Sequence, residues 1–269
     1  MRKFVRLCRA ERYKMRHTMI PVIHMGIPLL GSAVFLLYYK GRDWTGMVQL
    51  SGFTQIIGLL FPVLISFIVS RSVELEEGNH YQTFLGGNTG RIPSLLAKCV
   101  VLQLFGLAAV SIGISSFALG ERVLLGNCDI PCFAYFSSAA ALWLGSLVLY
   151  PIHFFFGMRF SKSVSMGIGV AQSVMAGLLI TGLGEGLWQF VPSSWSIRLV
   201  WTTMKAFAFS EKAMAEGAVY DLSTWRYLSG TIFLENLGYI CLLISMGICA
   251  IIFLWFYLWG DTVAFTDRE

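Results

Sequence analysis

Charge is what this sequence has least of. Lysine, arginine, aspartate and glutamate make up 13% of its 269 residues, whereas 56% are hydrophobic. A chain of that balance folded in water would carry broad apolar patches, which soluble monomers avoid. Chemical motifs are missing too. There is no G-x-x-x-x-G-K-[ST] phosphate loop, no H-E-x-x-H, no G-x-S-x-G and no C-x-x-C, so nucleotide hydrolysis, zinc or serine hydrolysis and dithiol redox chemistry have no visible seat. No Asp, Glu, Lys or Arg falls near the centre of an apolar run. That argues against a proton relay, which needs buried carboxylates, and against a membrane hydrolase built on an acid pair. No internal repeat, low-complexity tract or second soluble core is present. The expectation is one domain, 1–269, binding no metal or cofactor itself.

What is present is a series of apolar runs long enough to cross a bilayer as helices. They are Thr18–Tyr39, Val48–Ser70, Leu96–Leu119, Phe133–Met158, Ser165–Leu183 and Leu237–Trp259. Backbone polar groups in lipid must pair internally, which predicts helices, and the short alternating segments of a β-barrel are absent. The fold class expected is therefore an all-α membrane protein with six transmembrane helices. Pro62 and Pro151 predict kinks in the second and fourth. Arg2, Lys3, Arg6, Arg9, Arg12, Lys14 and Arg16 face a single acid, Glu11, and account for most of the net charge of +5. Such a cluster stays cytoplasmic, and six crossings return the C-terminus to the same side. The first run is too long for a signal peptide, contains Pro21 and Pro28, and lacks a small-x-small cleavage site. Residues 1–17 are expected to form a basic helix on the membrane surface. Phe4, Leu7 and Cys8 would dip in while Arg2, Lys3, Arg6 and Arg9 meet anionic lipid. The charge is thus read as a membrane signal and not as affinity for nucleic acid.

Two connections stand out. Between the second and third runs lies a polar segment, 71–98, centred on Glu74, Glu76, Glu77 and Gly78, with Tyr81, Phe84 and Leu85 following. Acids near a helix N-terminus and neighbouring aromatics suit a short helix that docks on a partner. Between the fifth and sixth runs lies 184–236, too interrupted to span and too apolar for a solvated loop. Its Trp188, Trp195, Trp201 and Trp225 suit an interfacial or partly inserted position. Their ring faces could meet a cationic substrate, or the loop could simply cap the bundle. Arg198 would anchor to lipid phosphate or to an acid. Cys128 and Cys132, both in the outer connection GNCDIPC, could form a disulfide or remain two thiols. His24 and His153 fall inside runs, where a satisfied structural histidine and a functional one are both open. Small residues recur at Gly169, Ser173, Gly177 and Thr181, and at Gly106, Ala109 and Gly113. Packing within the subunit is the simpler use of these faces, and a dimer seam the other.

Three short stretches resemble the permease subunits of ABC exporters with the six-helix type-2 export fold. They are AERYKMRHT (Ala10–Thr18), with an acid and a lysine before the first span; Glu74–Lys98, with its acid-acid-Gly pattern, the Phe84–Leu85 step and a lysine entering the third span; and PSSWSIRLV (Pro192–Val200). The length and the E-E-G-N context are most similar to permeases of lantibiotic self-protection and bacitracin-type peptide resistance. GGNTGRIPS (Gly86–Ser94) departs from the family's usual serine, proline or basic run. The resemblance implies a transport subunit of the bacterial cytoplasmic membrane without an ATPase site of its own. It implies a separate ABC ATPase using ATP and Mg at the coupling segment, a second permease subunit, and a peptide substrate taken from the bilayer. A permease of the same fold moving a lipid, polysaccharide or small drug is the first alternative. A non-transport membrane sensor or assembly protein is the second.

Overall fold

The structure is a computed structural model that describes residues 2–78, 80–81, 90–127, 130–184, 187–215 and 238–266. It is helical throughout, with no strand among the described residues. The helices are α1 (Arg2–Met15), α2 (Met19–Tyr39), α3 (Gly46–Glu77), α4 (Arg91–Gly120), α5 (Cys132–Ser146), α6 (Leu149–Arg159), α7 (Lys162–Leu179), α8 (Trp195–Ala215) and α9 (Gly238–Thr266). A π-helical turn, Glu121–Leu125, continues α4. Four stretches are long and apolar enough to cross a membrane: α2, α3, α4 with its π turn, and α5 together with α6. Six such helices are expected from the sequence. Four are found among the described residues, and α7, α8 and α9 are not among them.

The starts and breaks have local causes. Thr18 caps α2, accepting from the Ile20 amide at 3.2 Å and donating to the Met15 carbonyl at 2.7 Å. This turn sets α1 off from α2. Pro151 has no amide hydrogen for the Leu147 carbonyl. The chain breaks at Leu147 and Val148, and Gln103 Nε2 of α4 donates to that carbonyl at 3.1 Å. In return Trp143 Nε1 of α5 donates to the Gln103 carbonyl at 3.0 Å.

α3 is the mast of the bundle. Its 32 residues reach about 48 Å, and α6, α7 and α8 all pack on it. The small residues of α7 face it. A Cβ at Gly169 would strike Ser66 and the Pro62 carbonyl, and one at Gly177 would press on Leu59. α7 thus runs antiparallel to α3 and ends near Leu59, midway along it. There three 3-10 turns intervene, Gly182–Gly184, Trp188–Phe190 and Pro192–Ser194. α8 then takes over. A Cβ at Gly58 would meet Ile197 N and Cα at 3.2 Å, and Val200 and Met204 share a core cluster with Leu50 and Phe53. α7 and α8 lie end to end along α3, with the break between them near its middle. Glycines at 182 and 184 and proline at 192 stop regular helix there. Residues 184–215 therefore do not simply lie across the end of the bundle. Their first part is inserted into it, and residues 216–237, with Trp225, lie outside the described residues.

Close approach at the break depends on glycine. A Cβ at Gly145 would lie 2.6 Å from both Ser196 N and Ser196 Cα, a backbone that cannot step aside. Gly145→Ala should lower stability by about 1–3 kcal/mol through overpacking. Gly167→Ala, where nothing lies within 4 Å, should be neutral or stabilise by up to about 1 kcal/mol. Unfolding of the two purified variants in detergent, followed by tryptophan fluorescence, measures the contrast.

Candidate functional site: a buried ion knot beneath the polar segment

α1 presents a stripe of Phe4, Leu7, Cys8, Glu11 and Met15 to the bundle, spaced three or four residues apart on one face. Lys3, Arg6 and Arg9 stand exposed on the other side, and Phe4 is half-buried. Glu11 and Lys14, at i and i+3, are neighbours on the helix surface. They meet Glu76 from the last turn of α3 and Lys98 from the second turn of α4. Lys98 Nζ lies 2.7 Å from Glu76 Oε1 and 2.8 Å from Glu11 Oε2. Lys14 Nζ lies 3.0 Å from Glu76 Oε1 and 2.9 Å from Glu11 Oε1. Two cations and two anions alternate around a ring. Lys98 is 1% exposed, Glu76 2% and Glu11 5%. None of these charges tolerates burial alone, and each is neutralised by the others.

The ring ties the two helix ends that flank residues 78–90 to the last turns of α1. α3 closes with His80 and Tyr81 both at positive φ (49° and 57°), the Tyr81 amide donating to the Glu76 carbonyl at 3.0 Å. That reversal is a left-handed helix stop. It folds the half-buried Tyr81 back against the core cluster of Val73, Leu95 and Phe154. Burial first, and then the charges of Glu77 and Glu76, push the Tyr81 hydroxyl up to about 12. Across the gap α4 begins after Gly90, at a positive φ of 86° that favours glycine. Outside the ring lies an exposed belt. Arg71 pairs with Glu74 at 2.8 Å, and Lys162 with Glu74 at 3.3 Å and Glu77 at 3.0 Å.

The acidic step thus divides. Glu74 and Glu77 face outward and are open to a partner. Glu76 faces inward and is not a docking surface, because desolvation is tolerable only beside Lys98 and Lys14. Gly78 follows as the helix cap, and Phe84 and Leu85 lie outside the described residues. At the break, Trp188 and Trp195 are 6% and 3% exposed and cluster with Val148. Their rings form core and are closed to an approaching peptide, while Trp201 is half-buried. Arg198 reaches back to the end of α7. Its Nε donates to the Leu179 carbonyl at 2.9 Å, and Nη2 to the Leu179 and Thr181 carbonyls. It caps the end of α7 with the charge sign that a helix C-terminus favours. The guanidinium also sits 5.7 Å from the Trp188 ring and 5.4 Å from that of Trp201. Cys132 is exposed with Arg122 Nη2 at 3.4 Å, and Cys128 lies outside the described residues.

Sequence reasoning missed one buried acid. Glu121, in the π turn at the far end of α4, is 0% exposed and accepts from Tyr135 Oη at 2.5 Å. The pairing of Glu121 with Tyr135 fourteen residues on has no local signature. The histidines divide as follows. His153 Nδ1 donates at 3.2 Å to Ser165 Oγ, which donates to the His153 carbonyl at 3.3 Å, a closed link between α6 and α7. His24 lies against an apolar cleft. No group of three or more metal-ligating side chains occurs among the described residues. No protein-family model matches the chain, and neither does any curated protein.

Removing one member of the ring strands a buried charge. Lys98→Ala should cost about 3–5 kcal/mol, whereas Glu74→Ala on the exposed belt should leave stability essentially unchanged, since solvent screens its pairs. Chemical denaturation in detergent separates them.

The ring also sets a pH limit. Burial opposes the charge of Lys14, but its hydrogen bonds and attraction to Glu11 and Glu76 outweigh this and raise its pKa. The folded state therefore holds this proton more tightly than the unfolded chain. The resulting stability is complete below the ordinary lysine value of about 10.4 and is lost as pH rises through the higher folded value. Protection of the α1 amides, taken relative to the base-catalysed intrinsic exchange rate, should hold from neutral pH to about pH 10 and fall only above it. A fall in that protection between about pH 7 and 9 would contradict the assignment.

Proposed function

We propose that this chain is the membrane-spanning subunit of an ABC exporter, driven by a separate ATP-hydrolysing subunit that docks on the ion-knot end of the bundle. The observation that carries the reading is the convergence of Glu11 and Lys14, of Glu76, and of Lys98 on one buried ring. These residues belong to two of the stretches on which the resemblance rests, and they are up to 87 positions apart in the chain. The ring gives residues 78–90 a rigid foundation on three helix ends. A push on that segment would be passed to α3 and α4 as bodies. Exposed Glu74, Glu77 and Lys162 offer charged contacts beside it. The six-span topology is read with the broken α7–α8 pair as the fifth crossing and α9 as the sixth, both termini being cytoplasmic. Two such subunits, identical or sister, would enclose the pathway in the bacterial cytoplasmic membrane. The cargo proposed is a cationic antimicrobial peptide of the lantibiotic class, drawn from the outer leaflet.

Purification of the tagged chain from its own cells tests this. The expected complex holds two 30.0 kDa permease chains and two ATP-binding subunits. Charge reversal of Glu74 and Glu77 to lysine should lower recovery of the ATPase about tenfold or more, since several rim charges act together, without changing the thermal stability of the permease. Recovery of the chain alone, with no ATPase activity, overturns the transporter reading. Unchanged survival of cells lacking the protein when challenged with lantibiotics overturns the cargo while leaving the fold reading in place.

A further inference from the structure

Between α2, α3 and α4 lies an apolar cleft of about 140 Å³. Its wall on α2 runs from Ile23 to Phe35, about 18 Å along the helix. Ile27, Ile56 and Leu60 in its lining are 40%, 42% and 46% exposed. The cleft therefore opens sideways on the outer surface between α2 and α3, where lipid would lie. It is not polar enough to hold a file of water, which needs two to four polar partners per molecule.

One end differs from the rest. His24 lines the cleft, is 5% exposed, and has Nδ1 2.7 Å from the Ile20 carbonyl. A carbonyl only accepts, so Nδ1 carries the hydrogen. In the neutral ring Nε2 is then a lone-pair acceptor, and this buried atom has no hydrogen-bond partner. A buried unsatisfied acceptor is costly and calls for a donor. The Phe105 ring stands 5.5 Å from His24. The next residue, Gly106, makes room for the Tyr150 hydroxyl, which a Cβ there would strike. The polar end of the cleft thus has an imidazole and a phenol in its wall, and the remainder is hydrocarbon. It is also the end near the start of α2, on the side where Arg9, Arg12 and Arg16 are exposed.

We propose that the cleft binds a single long-chain fatty acid from the surrounding bilayer, its carboxyl hydrogen-bonded to His24 Nε2 and its tail lying along α2 toward Phe35. The shape has one short polar end and one long apolar body, which fits a single-chain amphiphile. The orphan acceptor selects a head that donates, as a protonated carboxyl does and an ester does not. The basic face of α1 beside that end concentrates fatty acid as its carboxylate, and the head that takes the His24 site is the protonated form in equilibrium with it. The enclosed volume is close to that of a cavity known to hold one benzene ring. The first carbons are therefore enclosed, and the rest of the chain leaves through the lateral opening. This inference does not depend on the transporter reading.

The test uses the full chain in phosphatidylcholine nanodiscs and a long-chain fatty acid carrying a photoactivatable diazirine. Labelled peptides should come from α2, α3 and α4, and unlabelled fatty acid should compete. Its methyl ester, which cannot donate, should compete about five- to tenfold less well, the worth of one hydrogen bond. Gly31 lines the cleft and has nothing within 4 Å of a Cβ position, so Gly31→Leu fills the space without a clash and should abolish labelling while the protein stays folded. His24→Phe should erase the difference between acid and ester. Equal competition by acid and ester in the unaltered protein overturns the proposal in favour of unselective filling by lipid chains. Undiminished labelling of Gly31→Leu overturns the location. These two results decide the matter even if His24→Phe fails to fold.

Discussion

Lys98 is enclosed at the base of α4, shut off from bulk solvent, and this constrains everything at that end of the molecule. The ammonium requires Glu76 and Glu11. Two carboxylates around one lysine would leave a surplus negative charge, and Lys14 removes it. The neutral ring therefore needs α1, α3 and α4 present together in one arrangement, and loss of any one exposes the others to the full cost of desolvation. Greasy packing between helices tolerates sliding, because one methyl resembles another. A ring of alternating charges at 2.7–3.0 Å does not. α1 is consequently held to the bundle by more than its apolar stripe, and the polar connection 78–90 starts and finishes on fixed points.

The same ring explains why two helices outrun the limits drawn from hydropathy. The second apolar run is expected to end at Ser70, and α3 continues to Glu77. The third is expected to begin at Leu96, and α4 begins at Arg91. A hydropathy window counts glutamate and lysine as reasons to stop a buried helix. It cannot register that Glu76 and Lys98, twenty-two residues apart, remove each other's charge. The start of α2 and its end at Tyr39 were legible because their causes are local, a threonine cap and an apolar run. The three-four spacing of α1 was legible too, but the face expected to dip into lipid packs on the bundle core through Cys8 and Met15.

The break between α7 and α8 was legible only in part. The interruption of apolar sequence after Leu183 is visible, as are the glycines and proline that enforce it. The level at which the insert sits is not, since it depends on glycines elsewhere. Gly58 and Gly145 let the backbone of Ser196 and Ile197 approach α3 and α5 closely, and neither carries a local mark of that use. The capping contacts of Arg198 were hidden for a related reason. Read alone, an arginine beside tryptophans leaves lipid phosphate and an acid both open as partners. In the folded chain the stopped helix α7 presents carbonyls that have lost their own amide partners. A buried guanidinium becomes tolerable because it meets that deficit.

Both devices act on α3. At one end the ring clamps its last turn, and midway the α7–α8 break abuts Gly58 and Leu59. The two points are about 18 residues apart, or roughly 27 Å of continuous helix. α3 is continuous over that stretch, with one backbone hydrogen bond removed by Pro62, whereas the 3-10 turns between Gly182 and Ser194 have neither long hydrogen-bonded runs nor regular geometry to resist displacement. Arg198 then has a particular position in that arrangement. Its hydrogen bonds cross from α8 to the end of α7, so relative movement of the two halves must stretch those bonds before it alters the apolar contacts on either side. The element that makes a broken helix tolerable in a hydrophobic bundle is also the one that sets how far its halves can part.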